Sequence, residues 1–125
     1  MTALTAIEVV EAFNAAINHQ DLEGLSALMS NSYTFIDSAG TVERGKETGT
    51  ASWSGFFRHF PDYRNVFESF AERDGLVVAL GQSHCSYEEL SGPAIWTAQV
   101  KDGQVAVWQM YEDSREQRSK LGLSR

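Results

Sequence analysis

The chain has 125 residues, 42% of them hydrophobic, and carries 17 acidic against 10 basic residues for a formal charge of −7. That length suits one domain over residues 1–125, able to bury roughly two-thirds of the unfolded chain's surface and still enclose a cavity. The acidic balance, with no cluster of Lys and Arg, disfavours nucleic acid and anionic membranes as partners, and the single cysteine, Cys85, excludes an intrachain disulfide and a zinc spacing.

The N-terminal stretch MTALTAIEVVEAF lacks a basic leader region, and no segment approaches roughly 18 consecutive apolar residues, so the expectation is a soluble cytoplasmic protein. Leu4, Ile7, Val10, Phe13, Ala16 and Ile17 recur at spacings of three and four, which predicts a first amphipathic helix. Asp21 is placed to cap a second, shorter helix carrying Leu22, Leu25, Leu28 and Met29. SYTFID then changes to β-prone residues, and AGTVERGKE reads as a break. A third helix is expected over Glu47–Phe60, with Trp53, Phe56, Phe57 and Phe60 on one side, ended by Pro61, which pushes its predecessor out of the α region.

From Tyr63 the period becomes two. Strands are predicted over about 63–73, 76–88, 94–101 and 104–112, divided by Asp74-Gly75, Ser91-Gly92-Pro93 and Asp102-Gly103. The ending DSREQRSKLGLSR reads as a short polar helix or a tail. Helices first and then an antiparallel meander predict an α+β domain with helices covering one face of a curved sheet.

In that order, NHQDLEGLSALMSNSYTFID, RGKE, FPDYR and DGQVAVWQMYED resemble the nuclear transport factor 2-like superfamily. Within it, FPDYR and the Asp-Gly turn before an aromatic strand closed by Asp113 are most similar to SnoaL-like polyketide cyclases and ketosteroid isomerase-like proteins. The resemblance implies a cone-shaped curved antiparallel sheet wrapped around the N-terminal helices, an apolar pocket for a small hydrophobic carbonyl compound, no cofactor or metal, and a homodimer formed through the outer sheet face. That contact is expected to use Val105, Val107 and Tyr111. Because this superfamily holds both enzymes and non-catalytic modules, fold alone does not decide between proton-transfer catalysis and ligand binding or dimerisation.

The resemblance places Asp37 of TFIDSAG at the position of an isomerase general base. Such a base needs a carboxylate in apolar surroundings, where desolvation makes it readier to take a proton. An Asp before Ser-Ala-Gly also caps a turn, and both readings stand at this point. The partners that an isomerase uses to stabilise an enolate depart from the pattern: Phe13 stands where a tyrosine is expected and Trp96 where an aspartate is. Trp108 and Met110 replace the His and Asp of a SnoaL-like last strand, so Tyr33 or Trp96 is left as hydrogen-bond donor. Phe13, Tyr33, Trp53, Phe57, Trp96, Trp108 and Met110 are the expected pocket residues, although aromatic residues at strand spacing also serve as core.

Alternation in the last strand puts Ala106, Trp108, Met110 and Glu112 on one face and Val105, Val107, Gln109 and Tyr111 on the other. In the same register Ala79, Gly81, Ser83 and Cys85 point inward and leave room beneath the tryptophans, with Cys85 a small filler. His19 is expected to be exposed, and His59 suits the end of the third helix. His84 falls on the outer face unless a one-residue bulge turns it inward.

Overall fold

The structure is a computed structural model and describes residues 4–122. Its first helix, α1 (Ala6–Asn18), begins at Thr5, whose hydroxyl accepts the Glu8 backbone N–H while the Glu8 carboxylate accepts that of Thr5. This reciprocal cap satisfies two donors that a helix start leaves open. Leu4 therefore precedes the helix and is exposed instead of contributing to its apolar face, which consists of Val9, Val10, Phe13, Ala16 and Ile17. Asp21 caps α2 (Leu22–Leu28) by accepting the Gly24 N–H. Met29, expected in that helix, opens β1 (Met29–Ile36) and is fully buried.

The stretch read as a break contains a strand, β2 (Val42–Arg44), which pairs antiparallel with β1. The helix α3 (Lys46–His59) follows and ends at Phe60, whose backbone is already non-helical ahead of Pro61. The meander comprises β3 (Arg64–Arg73), β4 (Leu76–His84), β5 (Gly92–Lys101) and β6 (Gln104–Glu112), followed by α4 (Arg115–Lys120). The expected strand over 76–88 stops at His84. There the Ser91 hydroxyl accepts the Cys85 N–H and the Asp62 carboxylate that of Ser86, so side chains take the donors a longer ladder would use. Asp74-Gly75 and Asp102-Gly103 adopt positive φ at both residues, the twist that a two-residue hairpin turn requires.

The six strands form a curved, open sheet in the order β2-β1-β6-β5-β4-β3. All pairs are antiparallel except β1 with β6, which run parallel and bring the first strand against the last. The helix α1 packs across β3 to β6, and the core lies between them, where Phe13, Ile17, Val77, Ala79, Trp96, Ala98 and Trp108 are buried.

One register shift corrects the expected outer face. Gln99 pairs with Val107 but Val100 pairs with Val105, leaving Ala106 as the extra residue. A single extra residue reverses the facing of everything beyond it. Val105 accordingly enters the core, fully buried, while Val107 stays outside between Gln99 and Thr34. Ile95 and Thr97 are buried on the outer face too, with Tyr111 paired to Ile95 and 3.4 Å from Thr97 Oγ1. No helix among the described residues is long and apolar enough to cross a membrane.

The C-terminal helix is fastened by a two-pronged ion pair: Arg118 Nε donates to Asp113 Oδ1 at 2.6 Å and Nη2 to Oδ2 at 2.9 Å. The guanidinium holds the Asp113 carboxyl below its ordinary range, so the unfolded state binds the proton more readily. Stability from this pair is therefore present above the unfolded value near pH ~4 and is lost as pH falls through the lower folded value. We expect Asp113→Asn to lose up to ~1 kcal/mol at neutral pH, with the gap to the native chain narrowing in thermal melts near pH ~3.

Candidate functional site

The site begins where α3 crosses β1. A Cβ on Gly49 would lie 2.5 Å from Tyr33 Cε2, so the Tyr33 ring rests directly on the α3 backbone and no larger residue fits there. The Trp53 indole N–H, one turn further along α3, donates to Tyr33 Oη at 3.3 Å. Burial pushes the Tyr33 phenol well above its ordinary value; the Trp53 hydrogen bond opposes this and the Glu43 charge adds to it. The phenol stays protonated, and its own hydrogen has no acceptor among the described residues.

Between this corner and the inner face of the sheet lies a cavity of about 680 Å³. Tyr33, Phe35, Trp53, Phe56, Trp96, Trp108 and Met110 supply its apolar wall. Of the seven expected pocket residues, Tyr33, Trp53, Trp96, Trp108 and Met110 line it. Phe13 and Phe57 stand behind the wall: Phe13 is fully buried with its ring centroid 4.5 Å from that of Trp108, and Phe57 is buried 5.7 Å from Trp53. They brace the lining side chains from the core, because α1 and the inner side of α3 turn these two rings away from the opening.

Asp37 is half-buried at the β1–β2 turn and belongs to the cavity's lining. Its Oδ1 accepts the backbone N–H groups of Ala39 and Thr41, both at 2.9 Å, while Oδ2 has no hydrogen-bond partner among the described residues. One oxygen thus organises the turn and the other remains unengaged. Glu43, Glu89 and Glu112 also line the cavity, as does His59, whose Nδ1 is 2.8 Å from the Gly55 carbonyl oxygen; no Lys or Arg among the described residues does.

A second polar group, not foreseen from sequence, also lines the cavity. Tyr63, Asn65 and Ser83 all line the cavity and are 6%, 2% and 2% exposed. The Ser83 hydroxyl donates to Asn65 Oδ1 at 2.8 Å, and Tyr63 Oη is 3.2 Å from Ser83 Oγ. With the serine proton committed to Asn65, the phenol is the donor in that contact. Burial raises the Tyr63 phenol, which keeps the proton available for it. The alternation of Tyr63, Asn65 and Phe67 along one strand face was the signal in the sequence that could have revealed this group.

The remaining candidates lie elsewhere. His19 and His84 are exposed, with no bulge turning His84 inward. Cys85 is half-buried beyond the end of β4, and its thiol donates to Asp62 Oδ1 at 3.4 Å. No group of three or more His, Cys, Asp or Glu among the described residues is arranged to hold a metal ion.

The fold defines a class of small α+β domain with helices packed on a curved sheet, and the comparisons with known proteins agree with it. A family model described as a SnoaL-like domain matches residues 10–108, and the chain belongs to that family. Among solved structures, it is similar to a protein assigned as a SnoaL-like polyketide cyclase from Shewanella denitrificans, with TM-score 0.77, 16% identity and coverage of 94% of this chain and 96% of that one. A nuclear transport factor 2-like protein of unknown function from Cytophaga hutchinsonii gives TM-score 0.74 at 16% identity over 93% and 96% of the two chains. An epoxide hydrolase-like structure from Mycobacterium tuberculosis gives 0.76 at 17% identity over 86% and 82%. No curated protein sequence is significantly similar to this chain. At these identities the likeness establishes the fold and leaves chemistry to the site itself.

The two oxygens of Asp37 lead to separable effects. Asp37→Ala removes the acceptor for two backbone donors and is expected to cost about 1 kcal/mol. Asp37→Asn retains an oxygen for both and should cost less. Thermal melts of the two variants at neutral pH measure the difference; equal loss in both would show that the charge, not the acceptor, holds the turn.

Proposed function

We propose that this SnoaL-like domain binds a small, neutral, hydrophobic carbonyl compound in its internal cavity. The observation that carries the reading is the cavity itself: a volume of about 680 Å³ walled by Tyr33, Trp53, Trp96, Trp108 and Met110, with polar groups, four carboxylates among them, also in its lining. In ligand sites apolar walls provide affinity and polar groups provide orientation. Neighbours assigned as polyketide cyclases are consistent with a ligand of that chemical kind. A bicyclic aromatic ketone such as 1-tetralone should quench tryptophan fluorescence saturably, and Trp96→Leu should weaken that response. Unchanged emission with tetralone and with a panel of larger ketones would refute the reading.

A second reading, proton transfer with Asp37 as general base and Tyr33 as donor, is favoured by one observation. Both residues belong to the lining of the same cavity, one with an unengaged carboxylate oxygen and the other with an uncommitted phenolic hydrogen. Such a pair would remove a proton beside a carbonyl and stabilise the enolate oxygen. Deuterium uptake at the α-carbon of tetralone in D2O, faster than in buffer and lost in Asp37→Asn, would establish it; uptake at the buffer rate would leave binding alone.

For assembly, we propose a homodimer through the outer sheet face, where Val78, Leu80, Val107 and Tyr111 are half-buried around Ile95. An apolar sheet face of this kind usually meets a partner. Light scattering at micromolar concentration should give twice the chain mass for the native protein and the chain mass for Val107→Lys. A native monomer would refute the assembly.

A further inference from the structure

We infer that Asn65 is the polar anchor of the cavity: its side-chain amide, held in place by Tyr63 and Ser83, donates a hydrogen bond to an oxygen acceptor of a neutral ligand. The inference rests on the proposal that the cavity takes a small molecule, and it names which end of that molecule is recognised and which charge is refused.

The argument starts from the backbone of Asn65. It lies near the start of β3, at the open edge of the sheet, where one side of the strand has no neighbouring strand. Two side chains of α1 occupy that side. Asn18 Oδ1 accepts the Asn65 N–H at 2.8 Å, and Asn18 Nδ2 and Asn14 Nδ2 both donate to the Asn65 carbonyl, at 2.9 and 3.1 Å. With both backbone groups fastened to the helix, the side chain is directed to the sheet's inner face beside Ser83, its cross-strand partner.

There the hydrogens run in one direction, from the Tyr63 hydroxyl to Ser83 Oγ and from the Ser83 hydroxyl to Asn65 Oδ1. In this arrangement Oδ1 is the end of the amide committed to Ser83 and Nδ2 is the end left over. The Asn65 Nδ2 group is left at the end of the chain, buried, with no partner among the described residues. A buried amide donor without an acceptor is destabilising, a cost that a ligand oxygen reaching it from the adjoining cavity removes. Asn14 Oδ1 is the other buried polar side-chain atom without a partner among the described residues, and it makes no hydrogen bond to Nδ2.

Charge sets the other half of the preference. Asp37, Glu43, Glu89 and Glu112 line the same cavity and no Lys or Arg among the described residues does, so a carboxylate or phosphate would meet repulsion that only a protonated His59 would offset. The ligand that satisfies both conditions is uncharged, apolar over most of its surface, and carries one accepting oxygen of the ketone type.

The test uses three probes on the full chain: 1-tetralone, its hydrocarbon tetralin, and a tetralone carboxylate, with binding followed by calorimetry. Native protein should bind tetralone about tenfold more tightly than tetralin, the value of one hydrogen bond, and the carboxylate more weakly than tetralone, with the deficit shrinking as salt is added. Asn65→Leu should abolish the preference for tetralone over tetralin while leaving tetralin binding in place. In isotope-edited infrared spectra the bound carbonyl stretch should shift to lower frequency in native protein and return towards its apolar-solvent position in the variant. Should Asn65→Leu fail to fold, Ser83→Ala, which frees the amide to turn, should reduce the preference and the shift in the same sense. Equal binding of tetralone and tetralin by native protein, or a carbonyl shift that survives Asn65→Leu and is lost in Tyr33→Phe, overturns the anchor and spares the cavity reading. Carboxylate binding as tight as that of tetralone overturns the preference for neutral ligands. Failure of both tetralone and tetralin to bind overturns the cavity reading and the anchor with it.

Discussion

Asn18 and Asn65 form the joint on which the cavity depends. A sheet edge leaves backbone donors and acceptors unpaired, and these must be satisfied if they are to be covered. Here the helix that fills the concave face also satisfies the edge: Asn18 pairs with both backbone groups of Asn65 as a neighbouring strand would, and Asn14 adds a second donor to the same carbonyl. The joint holds the β3 edge against α1 at one end of the sheet, while Tyr33 seated on Gly49 holds α3 against β1 at the other. Space is left between those two fixed points, and the aromatic residues of β5, β6 and α3 wall it.

The wall combines two kinds of constraint. Phe13 stacked behind Trp108, and Phe67 4.8 Å from Trp96 between ring centroids, restrict the tryptophans from the core side, so the lining does not collapse into the void. Polar groups line the rest of the cavity. Asp37 spends one carboxylate oxygen on its turn and keeps the other unengaged, which is why a structural role and a chemical role are compatible in the same residue. Tyr33 and Tyr63 are both kept protonated by burial, so the chamber offers neutral donors alongside its carboxylates. An uncharged, oxygen-bearing guest fits that set better than an anion does.

Much of the fold was legible because its signals are local. Apolar spacings of three and four marked α1, Pro61 marked the end of α3, and the two Asp-Gly pairs marked hairpins whose positive φ values match the turn type. The errors came from interactions between distant residues. The strand β2 is only three residues long and lies between Gly40 and Gly45, so pairing with β1, not propensity, makes it a strand. The extra residue at Ala106 reverses the facing of Val105 without any mark in the local pattern. The expected pocket residues were chosen for aromatic type and parity; this identifies Trp96 and Trp108 as inward-facing but cannot separate a lining ring from a bracing ring such as Phe13. The Tyr63, Ser83 and Asn65 group joins residues about twenty positions apart, and its attachment to α1 spans nearly fifty, distances over which periodicity carries no information.

The central claim is that a neutral ketone sits in this chamber with its oxygen on Asn65. A crystal structure of the protein grown with 1-tetralone tests it most directly. The account predicts density between Trp96 and Trp108, with the ketone oxygen within hydrogen-bond distance, about 3 Å, of Asn65 Nδ2. Tetralone density confined to the outer sheet face, or lying in the chamber with its oxygen turned to the opposite wall, would contradict it.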